Sequence, residues 1–231
     1  MPSNSRFLLT FLLSILTIQS AHSTDHAALN KRLFTQIYEH NSWGSQESRS
    51  GSGSTIHQTA AIRAHLPRII KEWDIHTILD APCGDFNWMK ELNLSGIDCY
   101  IGLDIVSQLI AKNAELYSSP NRFFFTIDIV NHPLPCVDLL ICRDCIQHLT
   151  DHDVFKLLAN IKRSNARYLL ISNYPQSSEN NDIDQIYSTA RITYRNLLLA
   201  PFNFPKPLVA IDEGFDNKVL TLWRIKDLPD L

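Results

Sequence analysis

The chain contains no Gly-x-Gly-x-x-Gly run in its 231 residues, which removes the phosphate-cradling turn of a dinucleotide fold. It lacks a basic excess. Lys and Arg number 21 against 24 Asp and Glu, for a net charge of −3. Nothing therefore indicates an electrostatic grip on nucleic acid, which needs a basic face. The apolar run Phe7–Ile18 falls short of a membrane span, which takes about 20 residues. There is no internal repeat and no shift in composition that would mark a second domain. Cysteine is too sparse for a disulfide scaffold, which would be shorter and denser: the five thiols are odd in number. Cys142-Arg-Asp-Cys145 is formally Cys-x-x-Cys but has no second pair to complete a zinc site, and it straddles the end of an apolar run. Buried small side chains are the better reading, and no metal site is expected.

What is present suffices for one α/β domain with a real core and some appendages, at 45% hydrophobic and 19% charged residues. Residues 1–23 stand apart. Arg6 precedes the apolar run, and Ala21 and Ser23 are small residues suited to a cut before Thr24. This reads as a secretory signal peptide, with an uncleaved anchor or a buried helix as alternatives. It predicts a secretory, periplasmic or extracellular protein that meets a membrane only transiently, or stays anchored to one. Residues 24–231 are then the single domain, with 24–73 as an N-terminal extension and 74–231 as the core.

The organising stretch is Thr77–Trp88. A short apolar strand ends in Asp80, a Pro82-Cys83-Gly84 turn follows, and a helix start is expected near Asn87. Strand, glycine turn and helix N-terminus together place a ligand at the carboxyl end of a parallel strand. A single glycine four residues after the acid suits a nucleoside with an amino-acid tail better than a pyrophosphate. Asp104 lies twenty-four positions beyond Asp80 at the end of the next apolar run, where an acid accepts ribose hydroxyls.

Upstream, Ala27–Tyr38 has helical apolar spacing and is expected to cover one end of the core. The Ser/Gly-rich segment Ser42–Ser54 is either a flexible linker or a loop whose backbone amides hold a carboxylate. Trp43 and Glu47 are unusual in a linker, and Ser54 or Thr55 can cap the helix that follows. That helix spans Ile56–Trp73, with Pro67 either kinking it or opening a second segment. Strands are predicted at Thr77–Asp80, Cys99–Asp104, Phe123–Asp128, Val137–Cys142 and Arg167–Ser172, and helices at Asn87–Leu92, Ser107–Tyr117 and Asp151–Arg163. Near-continuous apolar strands alternating with helices predict a Rossmann-like, doubly wound, mostly parallel sheet. Only eight residues separate Asp128 from Val137, so the crossover helix there should be vestigial. Pro207–Glu213 and Lys218–Ile225 flank a Gly214–Asn217 turn and predict a C-terminal antiparallel hairpin.

The stretch Asp80-Ala-Pro-Cys-Gly-Asp-Phe-Asn-Trp88 resembles a variant first motif of the class I S-adenosylmethionine (SAM)-dependent methyltransferases. Gly102–Ile105, Asp138–Leu149, Pro201–Pro207 and Trp43–Ser54 agree with that variant in order and spacing. The resemblance implies a methyltransferase with SAM as cofactor and an unidentified O or N acceptor, whether small molecule, glycan or protein. It implies that Asp80, Ala81, Pro82, Gly84, Asp85 and Trp88 surround the methionine tail, joined by Trp43, Ser48, Gly51 and Gly53 from the upstream loop and by Arg143. It puts Asp104 on the ribose, Ile105 on the adenine face, and Asp128 with Ile129 at the adenine edge; Asp128 reads equally well as a turn aspartate. Asp144 and His148, four apart after the fourth strand, are the candidate orienter and general base, or else a turn cap and a packed ring. Tyr174, Tyr194, Arg195 and Pro201–Pro207 are candidates for the acceptor wall, with Phe202 and Phe204 alternatively plugging the sheet edge. Where the variant has Trp-Arg-x-Leu-Asn-Leu this chain reads Tyr194-Arg-Asn-Leu-Leu-Leu199, a departure at the expected acceptor side. Two other classes compete. An exported non-catalytic binder with a degenerate SAM fold is suggested by the leader, because SAM is made in the cytoplasm. A nicotinamide oxidoreductase is disfavoured by the turn and the hairpin.

Overall fold

The computed structural model describes residues 25–182 and 192–230. The leader expected at 1–23 lies outside the described residues. Seven strands form one sheet in the order β3-β2-β1-β4-β5-β7-β6. They are β1 (Thr77–Asp80), β2 (Cys99–Asp104), β3 (Arg122–Thr126), β4 (Leu139–Cys142), β5 (Tyr168–Asn173), β6 (Val209–Asp212) and β7 (Val219–Arg224). β1 to β5 are parallel, and β7 enters antiparallel between β5 and β6. Among the described residues the α-helices are α1 (Asp25–His40), α2 (Ala60–Glu72), α3 (Ser107–Tyr117) and α4 (Asp151–Arg163). This is the expected Rossmann-like sheet with a terminal hairpin.

The continuous apolar strands have a physical reason: both faces of the sheet are covered, so both side-chain sets are buried. Alternate residues serve opposite cores. Ile78, Tyr100, Ile141 and Leu170 pack under α2 and α3 with Ile62, Leu66, Leu109 and Ile110. Leu79, Ile101, Leu140 and Leu169 pack under α4 with Val154, Leu157 and Ile161. The β3–β4 crossover carries no helix. An irregular segment places Ile129, Val130, Leu134 and Val137 in the α4-side core instead. Thr150 caps α4, its hydroxyl accepting from the Asp153 amide, and Asp151 and Asp153 sit in the favourable first turn.

Local departures from expectation have local causes. β3 stops at Thr126, because the Asp128 carboxylate accepts from the Val130 amide and the Asn131 side chain and builds a turn. The helix expected at Asn87–Leu92 shrinks to a 3₁₀ turn, Met89–Glu91, after Phe86 takes φ 60°. Pro67 lies inside a continuous α2, which begins at Ala60 rather than Ile56. Neither proposed cap of α2 sits at its N-terminus, which is Thr59; the Thr55 hydroxyl instead accepts from the Gln58 amide one turn earlier.

A roofed cavity at the strand carboxyl ends

β1 lies between β2 and β4, so the chain leaves the sheet in opposite directions on either side of it. The crevice at such a switch point is where open α/β sheets take ligands. A cavity opens there, lined by the ends of β1, β2 and β4 and the turn after β3. The sequence-predicted residues Trp43, Asp80, Pro82, Gly84, Trp88, Asp104, Ile105, Asp128, Ile129, Arg143, Asp144 and His148 all line it. Ser48, Gly51, Gly53, Ala81 and Asp85 are not on its wall.

The two strand-end acids are buried, at 3% and 7% exposure for Asp80 and Asp104. Tyr100 Oη donates to Asp80 Oδ2 at 2.6 Å. Burial pushes the Asp80 carboxyl up to about 7, reinforced by the Asp104 charge and opposed by the Tyr100 hydrogen bond and by Arg143. Asp104 accepts from the Gly84 amide at 3.1 Å and the Val106 amide at 3.0 Å. Burial lifts it to about 6 against those amides. Two buried carboxylates, Asp80 held by one hydroxyl and Asp104 by backbone amides, favour a ligand bearing a cation and hydroxyl groups. Ile105, Val106, Leu109, Ile127 and Ile129 supply an apolar wall suited to a flat base.

The Ser/Gly loop is ordered, but the carboxylate it holds belongs to the chain itself. Ser48 Oγ reaches both Asp85 oxygens at 3.0 Å, and the Arg49 amide donates to Asp85 Oδ2 at 2.7 Å. In return the Asp85 amide donates to Ser50 Oγ at 2.8 Å. Glu47 Oε1 accepts from the Ile56 amide and from Asn87 Nδ2, which also donates to the Ser54 carbonyl. Gly84, at φ 53°, faces this loop: an added Cβ would overlap the Ser50 hydroxyl. The close approach that the glycine permits is thus to Ser50. Ser48 and Asp85 latch the loop over the β1 turn, and Ser50, Ser54 and Trp43 present it to the cavity.

Beyond β4 lies a buried charge cluster in which Arg143 and Asp144 meet two residues that sequence reading missed, Glu213 and Lys218. Arg143 contacts Asp144 at 2.9 Å and Glu213 at 2.6 Å, and donates to the Gly53 carbonyl at 2.8 Å. Lys218 Nζ meets both Asp144 oxygens at 2.9 and 2.8 Å, and Glu213 at 3.2 Å. Glu213 and Lys218 come from the two sides of the β6–β7 turn, seventy and more residues away in sequence. Burial alone would raise the Asp144 carboxyl, but Arg143 and Lys218 override it and hold it well below the usual range. Asp144 itself sits at φ 51°, before the 3₁₀ turn Ile146–His148, with Gln147 Nε2 donating to its Oδ1. Its carboxylate is therefore committed to two cations and an amide. The His148 ring packs 5.5 Å from Trp43 and 6.5 Å from Phe34.

The acceptor-wall candidates divide. Arg195 is fully buried and donates to the carbonyls of Ile146 and Leu149 and to Asp151, so it braces the loop after β4. Phe202 and Phe204 are buried in the α4-side core, the plug alternative. Tyr174 and Tyr194 pack with ring centroids 4.7 Å apart and planes tilted by 47°. The Cys142 thiol is pushed well above its ordinary value by its hydrogen bond with Cys145 and by burial, the opposite of an activated thiolate.

The element that sequence reading undervalued is α1. Asn30, Phe34 and Tyr38, at helical i, i+4, i+8 spacing, line the cavity from above. Asn30 ties α1 to α4 through Asp153, and Glu39 ties it to α3 through Gln108. The helical period was legible, but which polar residue faced inward was not.

No family model matches the chain, and no curated protein matches it. Solved structures do. The 1,6-didemethyltoxoflavin-N1-methyltransferase of Burkholderia thailandensis, with bound S-adenosylhomocysteine (SAH), aligns at TM-score 0.58 and 16% identity, over 90% of this chain and 92% of that one. The N-methyltransferase NodS of Bradyrhizobium japonicum, in complex with SAH, aligns at TM-score 0.59 and 11% identity, over 83% and 97%. The magnesium protoporphyrin IX methyltransferase of Synechocystis, with bound SAH, aligns at TM-score 0.54 and 13% identity, over 84% and 97%. At these identities the likeness is one of fold, shared by enzymes with diverse acceptors.

Proposed function

We propose that this protein is a SAM-dependent methyltransferase acting on an O or N acceptor. The observation that carries the reading is the pair of buried carboxylates, Asp80 and Asp104, at the ends of adjacent parallel strands and facing one apolar-walled cavity. The donor set suits the cofactor. Asp80, with one oxygen held by Tyr100, would take the ammonium of the methionine tail. Asp104, oriented by the Gly84 and Val106 amides, would take the ribose hydroxyls, and Ile105 and Ile129 would flank the base. Bound SAM supplies a methyl group on a cationic sulfur. The chain's own contribution is to hold the partners in line and keep water out, a task that falls to α1, Trp43 and the latched loop. His148, on the cavity wall beyond β4, is the group placed to take a proton from a hydroxyl or ammonium acceptor. Asp144 serves as a counter-ion to Arg143 and Lys218. The leader expected at residues 1–23 adds a further proposal, that the protein is exported.

The same fold with an immobilised Asp144 also suits a non-catalytic SAM binder, and conversion of SAM to SAH in the presence of candidate acceptors separates the two. The binding test comes first. Titration calorimetry should show SAM binding to the wild-type protein and at least a tenfold loss in Asp104→Ala, since hydrogen bonds to a charged acceptor are worth about 1.5–3 kcal/mol each. Equal affinity in a folded variant would place the cofactor elsewhere.

A further inference from the structure

Asn30 is 3% exposed and lines the cavity. Its Nδ2 donates to Asp153 Oδ2 at 2.8 Å. A carboxylate only accepts, so this bond settles which way the amide points: nitrogen to Asp153, carbonyl oxygen away from it. That oxygen, Oδ1, is buried and has no hydrogen-bond partner among the described residues. Leaving a buried acceptor empty is costly, so a group that lines a ligand cavity in this state points to a donor on the ligand.

The position says which end of the ligand. Asp153 opens α4, and one turn on Lys156 Nζ bonds Asn131, in the turn that carries Asp128, Ile129 and Val130. Asn160, a turn further, bonds the Ile129 carbonyl. Asn30 is therefore anchored to the helix that also supports the wall assigned to the base. Asp128, which the sequence placed at the adenine edge or equally well in a turn, has one oxygen on the Val130 amide and the other on the Asn131 side chain.

We infer that Asn30 Oδ1 is the acceptor that reads the exocyclic amino group of the adenine ring, making α1 a specificity element as well as a roof. The inference rests on the SAM reading above. It assigns to a residue outside the parallel-sheet core a choice between a 6-amino purine, which donates at that edge, and a 6-oxo purine, which accepts.

The experiment is titration calorimetry of the full chain with SAH and with its inosine counterpart, in which oxygen replaces the amino group. Wild type should bind SAH at least tenfold more tightly than the inosine analogue. Asn30→Ala should weaken SAH by about fivefold to twentyfold, leave the analogue nearly unchanged, and so collapse the preference. Asn30→Ser, which keeps a donor toward Asp153, serves if the alanine variant does not fold, and melting temperatures report that. Equal affinity of wild type for the two ligands overturns the inference whatever the variants do. A folded variant with wild-type SAH affinity and preference overturns it too, and in both cases the SAM reading stands. If wild type binds neither SAH nor SAM, the SAM reading falls and takes this inference with it.

Discussion

At the scale of single residues, the cavity separates two kinds of acid. Asp80 and Asp104 are buried without an ion pair among the described residues and keep their protons to unusually high pH; Asp144 is buried beside two cations and gives its proton up early. The first kind is a site that waits for a cation or a hydroxyl, and the second is a structural counter-ion. This distinction predicts how two neighbouring substitutions differ. Asp144→Asn leaves Arg143 and Lys218 with only Glu213 between them, and unpairing buried charge costs about 3 kcal/mol. Denaturant unfolding should show that loss. His148→Ala removes a ring from the cavity wall; it should unfold nearly as wild type and bind SAM, yet lower turnover by about 10²–10⁴ if the ring is the base. Normal turnover in His148→Ala would make the ring a packing element and leave the acceptor needing no base from it.

At the scale of elements, the loop of residues 43–54 and α1 do the enclosing. The loop is held by side chains rather than by secondary structure: Ser48 and Asp85 are thirty-seven residues apart and form the central latch. Arg49, exposed at the tip of that latch, is a trypsin site. Asp85→Ala should open the loop and raise the rate of cleavage after Arg49 at least tenfold, read by mass spectrometry of timed digests. Saturating SAM should slow the cut in wild type, where the loop and cofactor share a wall. Equal rates for wild type and variant would show that the Glu47 and Asn87 contacts hold the loop without Asp85. The β6–β7 hairpin plays an equivalent role on the far side. Its turn delivers Glu213 and Lys218 to the end of β4, so the antiparallel appendage sets the charge state of the residues that follow a parallel strand.

At the scale of the whole molecule, these ionisations become a pH profile. Asp80 and Asp104 have folded-state values raised above the ordinary carboxylate value, to about 7 and about 6, so the native state binds more protons than the unfolded chain between about pH 4 and pH 7. Their contribution to stability is present at the lower end of that window and is lost as pH rises through it. Asp138 and Asp144 are shifted the other way, by Arg167 and by the buried cluster, and their contribution is lost as pH falls below about 4. The ligand-free protein should therefore melt highest near pH 4–5 and lose melting temperature toward pH 7, read by scanning calorimetry across buffers. Asp80→Asn should flatten the upper part of that slope. A melting temperature that climbs from pH 5 to pH 7 would contradict the burial of these two acids.

Features with a local cause could be read from the residues alone. Continuous apolar runs such as Leu139–Cys142 and Tyr168–Ser172 require a sheet covered on both faces, and the helical periods between them require parallel crossovers. The acids that end β1 and β2 and the Gly214–Asn217 turn were legible for the same reason, as chain punctuation at short range. Which polar groups meet was settled by the packed fold. Asn30 and Asp153 are 123 residues apart, Arg143 and Glu213 seventy, and Arg195 and Asp151 forty-four. Nothing in the residues around each one encodes the partner, because a polar side chain has no period. Its pairing is fixed when packing of the apolar faces brings two distant segments together and burial makes an unpaired charge too costly to keep.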